Sequence, residues 1–275
     1  MKKRIIIGSP IHQSPFILDE FLFSLTELNT ENFVVHYIFF DDNEDQASKN
    51  LLNQFYSNNT DVTILRDQNL PPESYYKDEN THYWPVNQVW KVAEMKDKII
   101  DYAKENQYDY LFLVDSDLIL HPNTLQQLIE SKKDIISNIF WTKWVANGIE
   151  MPQVWMTDVY TFYKNEGKTT LTPEEEIAKN EEFLNMLRQP GIYKVGGLGA
   201  CTLISQKAIQ TGVCFKEIPN VSFWGEDRHF CIRAMAIGLE LYVDTHYPAY
   251  HIYRQSDLSG LKNYKENNGL TVRKE

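Results

Sequence analysis

Along the first half of the chain, the apolar positions alternate between two spacings. Ile5 to Gly8, Phe33 to Phe40, Asp61 to Leu65 and Tyr110 to Val114 are short apolar runs that close on turn residues, as buried strands do. Between them the spacing opens to a helical period, with Phe16, Leu18, Phe21, Leu22 and Leu25 inside Ser14 to Leu28. Gln46 to Tyr56 and Val86 to Glu105 read the same way, and a Pro-rich aromatic loop, Asn69 to Pro85, precedes the second of these. Strands and helices in strict alternation predict a parallel sheet covered on both faces, joined by right-handed crossovers. Ligands of such sheets bind at the carboxyl ends of the strands.

The second half is less regular. A strand is expected at Asp134 to Phe140, then an aromatic stretch through Trp155, and an exposed helix at Pro173 to Leu187. The apolar pattern returns in Tyr193 to Ser205, followed by a helix at Glu226 to Ile237 and a strand at Glu240 to Asp244. The polar tail after Gly260 is expected to be mobile. Neither repeats nor a hard boundary divide the chain, although its pattern changes near residue 120.

Composition narrows the function classes. The 275 residues are 43% hydrophobic and 13% aromatic, enough to build one large core. With 27 Lys plus Arg against 38 Asp plus Glu, the net charge of -11 repels a phosphate backbone and argues against nucleic acid. A small anion would need a metal ion or a few placed basic groups. Cys201, Cys214 and Cys231 are odd in number and lack CxxC spacing, so reduced thiols in a cytoplasmic setting are expected. The apolar run after Met1 to Arg4 is too short for a signal peptide, and no window approaches a membrane span. Peripheral contact with a membrane through aromatic residues is left open.

Several residue groups could carry chemistry. Asp115 and Asp117, two apart after an apolar strand and flanking Ser116, point to one side and can share a hard cation such as Mg²⁺ or Mn²⁺. A plain polar strand end explains the same pair. Glu226 and Asp227 open a helix, where they either cap the macrodipole or stay ionised as a general base, while Trp224 offers a sugar-stacking face or a core side chain. Gly196 to Ala200 departs from GxGxxG and suits a bulge or a close ligand. His246 and His251 flank Pro248, and either could complete a metal shell with Asp117. Near the first strand ends, Pro10, Ile11, Asp41 and Asp42 could meet a base or ribose, though an Asx turn or cap also explains the acids. Arg66 and Lys91 are phosphate or base contacts or plain surface charges, and Trp141 and Trp144 line an acceptor groove or pack in the core.

In their order along the chain, FFDDN, LFLVDSD, the glycine segment, WGEDRHF and the late YHIYR resemble the GT-A glycosyltransferases. Over residues 4–252 the pattern is most similar to inverting glycosyltransferase family 2 and related galactosyltransferase-like enzymes. The resemblance implies a GT-A α/β fold, with a Rossmann-like, mostly parallel sheet flanked by helices and a smaller mixed-sheet half on the acceptor side. It places a nucleotide-binding half at 1–120, an acceptor half at 121–260 and a tail at 261–275. It further implies a nucleotide-diphosphate sugar donor, UDP favoured, lying along Pro10, Ile11, Asp41, Asp42, Arg66, Lys91, Asp115 and Ser116. Mn²⁺ or Mg²⁺ would sit on Asp115, Asp117 and His251. Gly197 would border the donor sugar and Trp224 the sugar ring. Asp227, or Glu226 in its place, would take the proton of an acceptor hydroxyl on a carbohydrate, glycan or other molecule, giving inversion. A retaining GT-A enzyme, a metal-dependent phosphoester hydrolase and a non-catalytic sugar-nucleotide binding protein are the competing expectations.

Overall fold

The computed structural model describes residues 2–67, 76–77, 82–83, 85–145, 148–157, 159–164, 171–222 and 225–273. Most of the Asn69 to Pro85 loop lies outside the described residues, as does Trp224. The chain begins with β1 (Lys3–Ile11), α1 (Pro15–Thr26), β2 (Phe33–Asp41), α2 (Gln46–Asn58) and β3 (Val62–Leu65). Pro15 presets the first turn of α1, and Asp45 caps α2 by accepting the Ala47 N–H at 3.1 Å. A short pair, β4 (Tyr76–Lys77) and β5 (His82–Tyr83), precedes α3 (Val86–Glu105), β6 (Tyr110–Leu113), β7 (Leu118–Ile119) and α4 (Thr124–Glu130).

Next come β8 (Ile135–Thr142), the short β9 (Met151–Pro152) and β10 (Val154–Trp155), and α5 (Pro173–Leu187). Thr172 and Glu175 close a capping box at the start of α5, which explains its sharp onset after a polar stretch. β11 (Ile192–Val195), β12 (Gly197–Leu198), β13 (Thr202–Ser205) and α6 (Gln206–Gln210) follow, then α7 (Glu226–Ala236), β14 (Leu241–His251) and α8 (Leu258–Asn267).

The main sheet runs β11-β14-β8-β13-β6-β1-β2-β3. Its half built from β6, β1, β2 and β3 is parallel, as strand and helix alternation predicts. β13 is antiparallel to both β6 and β8 and joins this half to the mixed one, in which β14 runs parallel to β8. Both sheet faces are covered: Ile6, Ile38, Leu111 and Ile204 lie in one core cluster, and Ile5, Ile7, Phe39 and Phe112 in the other. Consecutive residues of β1 thus serve opposite layers, which is why its sequence is an unbroken isoleucine run.

Two expectations change. β14 does not end at Asp244 but continues to His251, because after a bulge Ala249 pairs with β8 and Tyr250 and His251 pair with β7. Pro248 sits inside that irregular stretch, where a missing N–H costs no ladder bond. The segment after Gly260 is helical rather than a free tail. Leu261 packs with Ile17, Ile119 and Ile252, Lys265 pairs with Glu20, and Arg273 bonds Asp19 and Glu20 at 2.8 and 2.7 Å.

Candidate active site

The chain leaves the sheet at the end of β6, where the Val114 N–H still donates to Gly8 O at 3.0 Å, and turns through Asp115, Ser116 and Asp117. β7 then pairs Leu118 with His251, and the Ile252 N–H donates to Asp117 O at 2.9 Å. This ladder carries a histidine from the end of the chain to the aspartates. His251 Nε2 stands 3.5 Å from Asp117 Oδ2, its Nδ1 pairs with Thr142 Oγ1 at 2.7 Å, and its ring meets Phe140 edge-on. His246 lies elsewhere, 3.1 Å from Asp244 Oδ2.

The second group starts α7. Gly225 caps this helix at φ 107°, a left-handed conformation that a side chain resists, and leads into Glu226 and Asp227. Both acids meet Lys96 of α3: its Nζ donates to Glu226 Oε1 at 2.8 Å and Asp227 Oδ1 at 3.2 Å, and stands 3.9 Å from Asp115 Oδ1. Only 4% of the Lys96 side chain is exposed, whereas Asp115 is 44% open and gives the group a way to the cleft. Lys96, Asp115, Asp227, Gly199, Ala200 and Phe215 line one small cavity. Burial, reinforced by Glu226 and Asp115 and opposed by Lys96, pushes the Asp227 carboxyl up to about 7. Burial raises Asp115 as well, with Lys96 opposing and Asp117 adding to the shift.

The remaining residues singled out in the sequence are divided. Asp42 follows the end of β2, on the same sheet edge as the end of β6, bonded to Lys91 Nζ at 2.7 Å and 3.6 Å from His12 Nδ1. Burial alone would raise its carboxyl, but these partners outweigh it and hold it below the usual range. Lys91 is therefore a buried partner of Asp42 rather than a loose surface charge. Asp41 turns inward and binds Arg66 through Nε and the terminal nitrogen, both at 2.9 Å, while the Arg66 side chain stays half exposed. Pro10 is half-buried and Ile11 lies in the core, which leaves backbone groups as what Ile11 can offer a nucleotide. Ser116 is buried in the turn.

Gly197 lies against the Trp155 indole, which a Cβ at that position would overlap. Gly199 faces Asp227, since a Cβ there would stand 3.3 Å from Asp227 Oδ2. Trp141 stacks under the Arg188 guanidinium and is partly buried, while Trp144 is about half exposed and meets the Tyr253 ring.

A family model described as glycosyltransferase family 25, N-terminal domain, matches residues 3–177. The chain belongs to this family. Its motifs resemble family 2 and the galactosyltransferase-like enzymes, and what these share with the matched family is the glycosyltransferase class. None of the curated proteins matches the chain. Among solved structures, it is similar to mannosyltransferase PcManGT from Pyrobaculum calidifontis in complex with GDP-Man and Mn²⁺, at 8% identity and a TM-score of 0.56. That likeness covers 98% of this chain and 62% of the mannosyltransferase. GalNAc-T7 with UDP, GalNAc and Mn²⁺ gives 13% identity and 0.58 over 93% of this chain and 44% of the other. S. aureus TarS 1-349 gives 14% and 0.54 over 99% and 67%. The fold is GT-A. The chain spans less than two thirds of the first two proteins.

For a family 25 glycosyltransferase domain, the donor set at the DSD turn suits a hard divalent ion. Two carboxylates and an imidazole meet at the strand edge, and with Nδ1 engaged by Thr142, Nε2 is the nitrogen that faces Asp117. Among the described residues, no three His, Cys, Asp or Glu side chains stand ready to hold a metal by themselves. Such a site would be completed by substrate phosphate oxygens and water, the usual arrangement for Mg²⁺ and Mn²⁺. Four acids, Asp115, Asp117, Glu226 and Asp227, face Lys96 and His251, so the cleft has room for more positive charge. Lys96 itself is the residue that motif reading misses. The signal was there: on α3 it interrupts the buried stripe of Val89, Ala93, Ile100 and Ala103.

Proposed function

We propose that the protein is a metal-dependent glycosyltransferase that moves a sugar from a nucleotide-diphosphate sugar to an acceptor hydroxyl with inversion. The observation that supports this most is the meeting of Asp115, from the turn that sets Asp117 beside His251, with Asp227 across one cavity, in a chain of a glycosyltransferase family. Residues 1–120 would hold the nucleotide and 121–260 the acceptor. UDP is favoured as the nucleotide, as found with GalNAc-T7, with GDP the competitor.

Asp115, Asp117 and His251 would hold Mn²⁺ or Mg²⁺, which neutralises the diphosphate leaving group when bound. Asp42, fixed by Lys91, faces the base or ribose, and the backbone of Pro10 and Ile11 borders it. Asp227 commits Oδ1 to Lys96, while Oδ2 stands beside Gly199 in the cavity wall. Oδ2 takes the acceptor's hydroxyl proton as that oxygen bonds the anomeric carbon. The glycosyl–phosphate bond breaks on the opposite side, and its electron pair leaves with the diphosphate. The acceptor is a hydroxyl-bearing carbohydrate, glycan or other molecule.

The test is acceptor-dependent release of UDP or GDP from UDP-galactose, UDP-N-acetylgalactosamine and GDP-mannose with Mn²⁺. Transfer should vanish in Asp117→Ala. Release that ignores acceptor would favour a hydrolase, and binding without any release would favour a non-catalytic module. A product of retained anomeric configuration by proton NMR would refute inversion.

A further inference from the structure

We propose that Lys96 is the positioning residue of the transfer end of the cleft: its buried ammonium fixes Glu226 and Asp227 so that Asp227 presents Oδ2 to the acceptor. This rests on the reading of Asp227 as the base and adds a residue that no motif contains.

The surroundings of Lys96 leave it little other use. α3 packs on β1, and the neighbours of Lys96 on that helix, Ala93, Ile99 and Ile100, are buried, so the stem starts from a fixed point. The adjacent Asp97 accepts the Phe215 N–H at 2.7 Å, which holds the Phe215 ring 5.0 Å from the Lys96 ammonium. The aromatic face covers one side of the cation and the two carboxylates occupy the other. An ammonium has three donors and no acceptor. Two are used at 2.8 and 3.2 Å, and Asp115 at 3.9 Å is beyond a direct hydrogen bond while still attracted.

The choice of oxygen matters. Lys96 takes Asp227 Oδ1, and the other oxygen of that carboxylate is the one near the Gly199 backbone in the cavity wall. With no Cβ at Gly199, space beside Oδ2 stays open for an acceptor hydroxyl. Without the ammonium, the carboxylate could rotate, and Glu226 would repel it. Lys91, five residues earlier on α3, fixes Asp42 in the same manner at the nucleotide end. One helix therefore carries both lysines, about 7.5 Å apart along its axis, each fixing a carboxylate.

The experiment compares wild type, Lys96→Met, Lys96→Arg, Asp227→Asn and the Lys96→Met/Asp227→Asn double variant. The donor is whichever of UDP-galactose, UDP-N-acetylgalactosamine or GDP-mannose the wild type turns over with Mn²⁺. Lys96→Met should lower kcat for transfer by about 100-fold, the scale of losing a placed general base, while donor KM stays within about threefold. Lys96→Arg keeps the charge with a different shape, and its kcat should fall between the two. The double variant should be no slower than Asp227→Asn alone, because the lysine acts through that carboxylate. Unchanged kcat, or a loss residing in donor KM, would overturn the proposal. If Lys96→Met fails to fold, the same kcat against KM split in Lys96→Arg decides. Full transfer in Asp227→Asn would instead sink the base assignment, whereas loss there with intact Lys96 variants would sink only the role of the lysine.

Discussion

As the proposed base, Asp227 would accept a proton in surroundings that favour its neutral form. Burial raises its carboxyl from 3.8 to about 7, so kcat/KM of the free enzyme should climb with pH and level off above neutrality, with the acid limb near that value. A pH profile limited only in the usual carboxylate range would contradict the assignment. The same shift has a sign for stability. Between roughly pH 4 and 7 the folded chain holds a proton that the unfolded chain has released, so this group stabilises at low pH and its contribution is lost as pH rises through that window. The metal-free wild type should thus lose more melting temperature from pH 5 to pH 8 than Asp227→Asn does. Asp115, Asp117, Glu226 and Asp227 could be picked out as candidates from their places at a strand end and a helix start. Lys96 could not be read so directly, because a helical lysine is ordinarily solvated and its partners are 19, 130 and 131 residues away in sequence.

Helices and strands were legible in proportion to how local their causes are. Val86–Glu105 and Pro173–Leu187 form as their sequence patterns predict, since apolar spacing and end signals lie within each segment. β14 was legible only to Asp244, because its last residues owe their strand conformation to partners in β7 and β8 rather than to their own alternation. α8 has few apolar positions, Leu258, Leu261 and Tyr264 among charged residues, and only docking against Ile17, Ile119 and Ile252 makes them a face. Leu261→Ala should therefore cost about 2–5 kcal/mol, seen as a lower urea midpoint. A midpoint equal to wild type would mean that α8 contributes nothing to the fold. Gly197→Ala belongs to this scale too. It forces the Trp155 indole away from β12, so its main effect should be a lower melting temperature, with donor KM little changed in the protein that remains folded.

For the whole molecule, a net charge of -11 makes approach of a naked nucleoside diphosphate unfavourable. UDP alone should raise the melting temperature little, Mn²⁺ alone modestly, and the two together by more than their sum. EDTA should return the melting temperature to that of the unliganded chain, and a full shift by UDP in EDTA would contradict metal-assisted binding. No helix among the described residues is long and apolar enough to cross a membrane. The sheet also sets how this chemistry can change over evolutionary time. β14 follows β8 as far as Asp244, slips out of register, and locks again on Leu118 through His251. An inserted residue that moved this later pairing by one place would turn the imidazole to the strand's other face. On the proposed reading of His251 as a metal ligand, cation preference would then change with loop length at Thr245 to Pro248 while every acid in the cleft stays as it is.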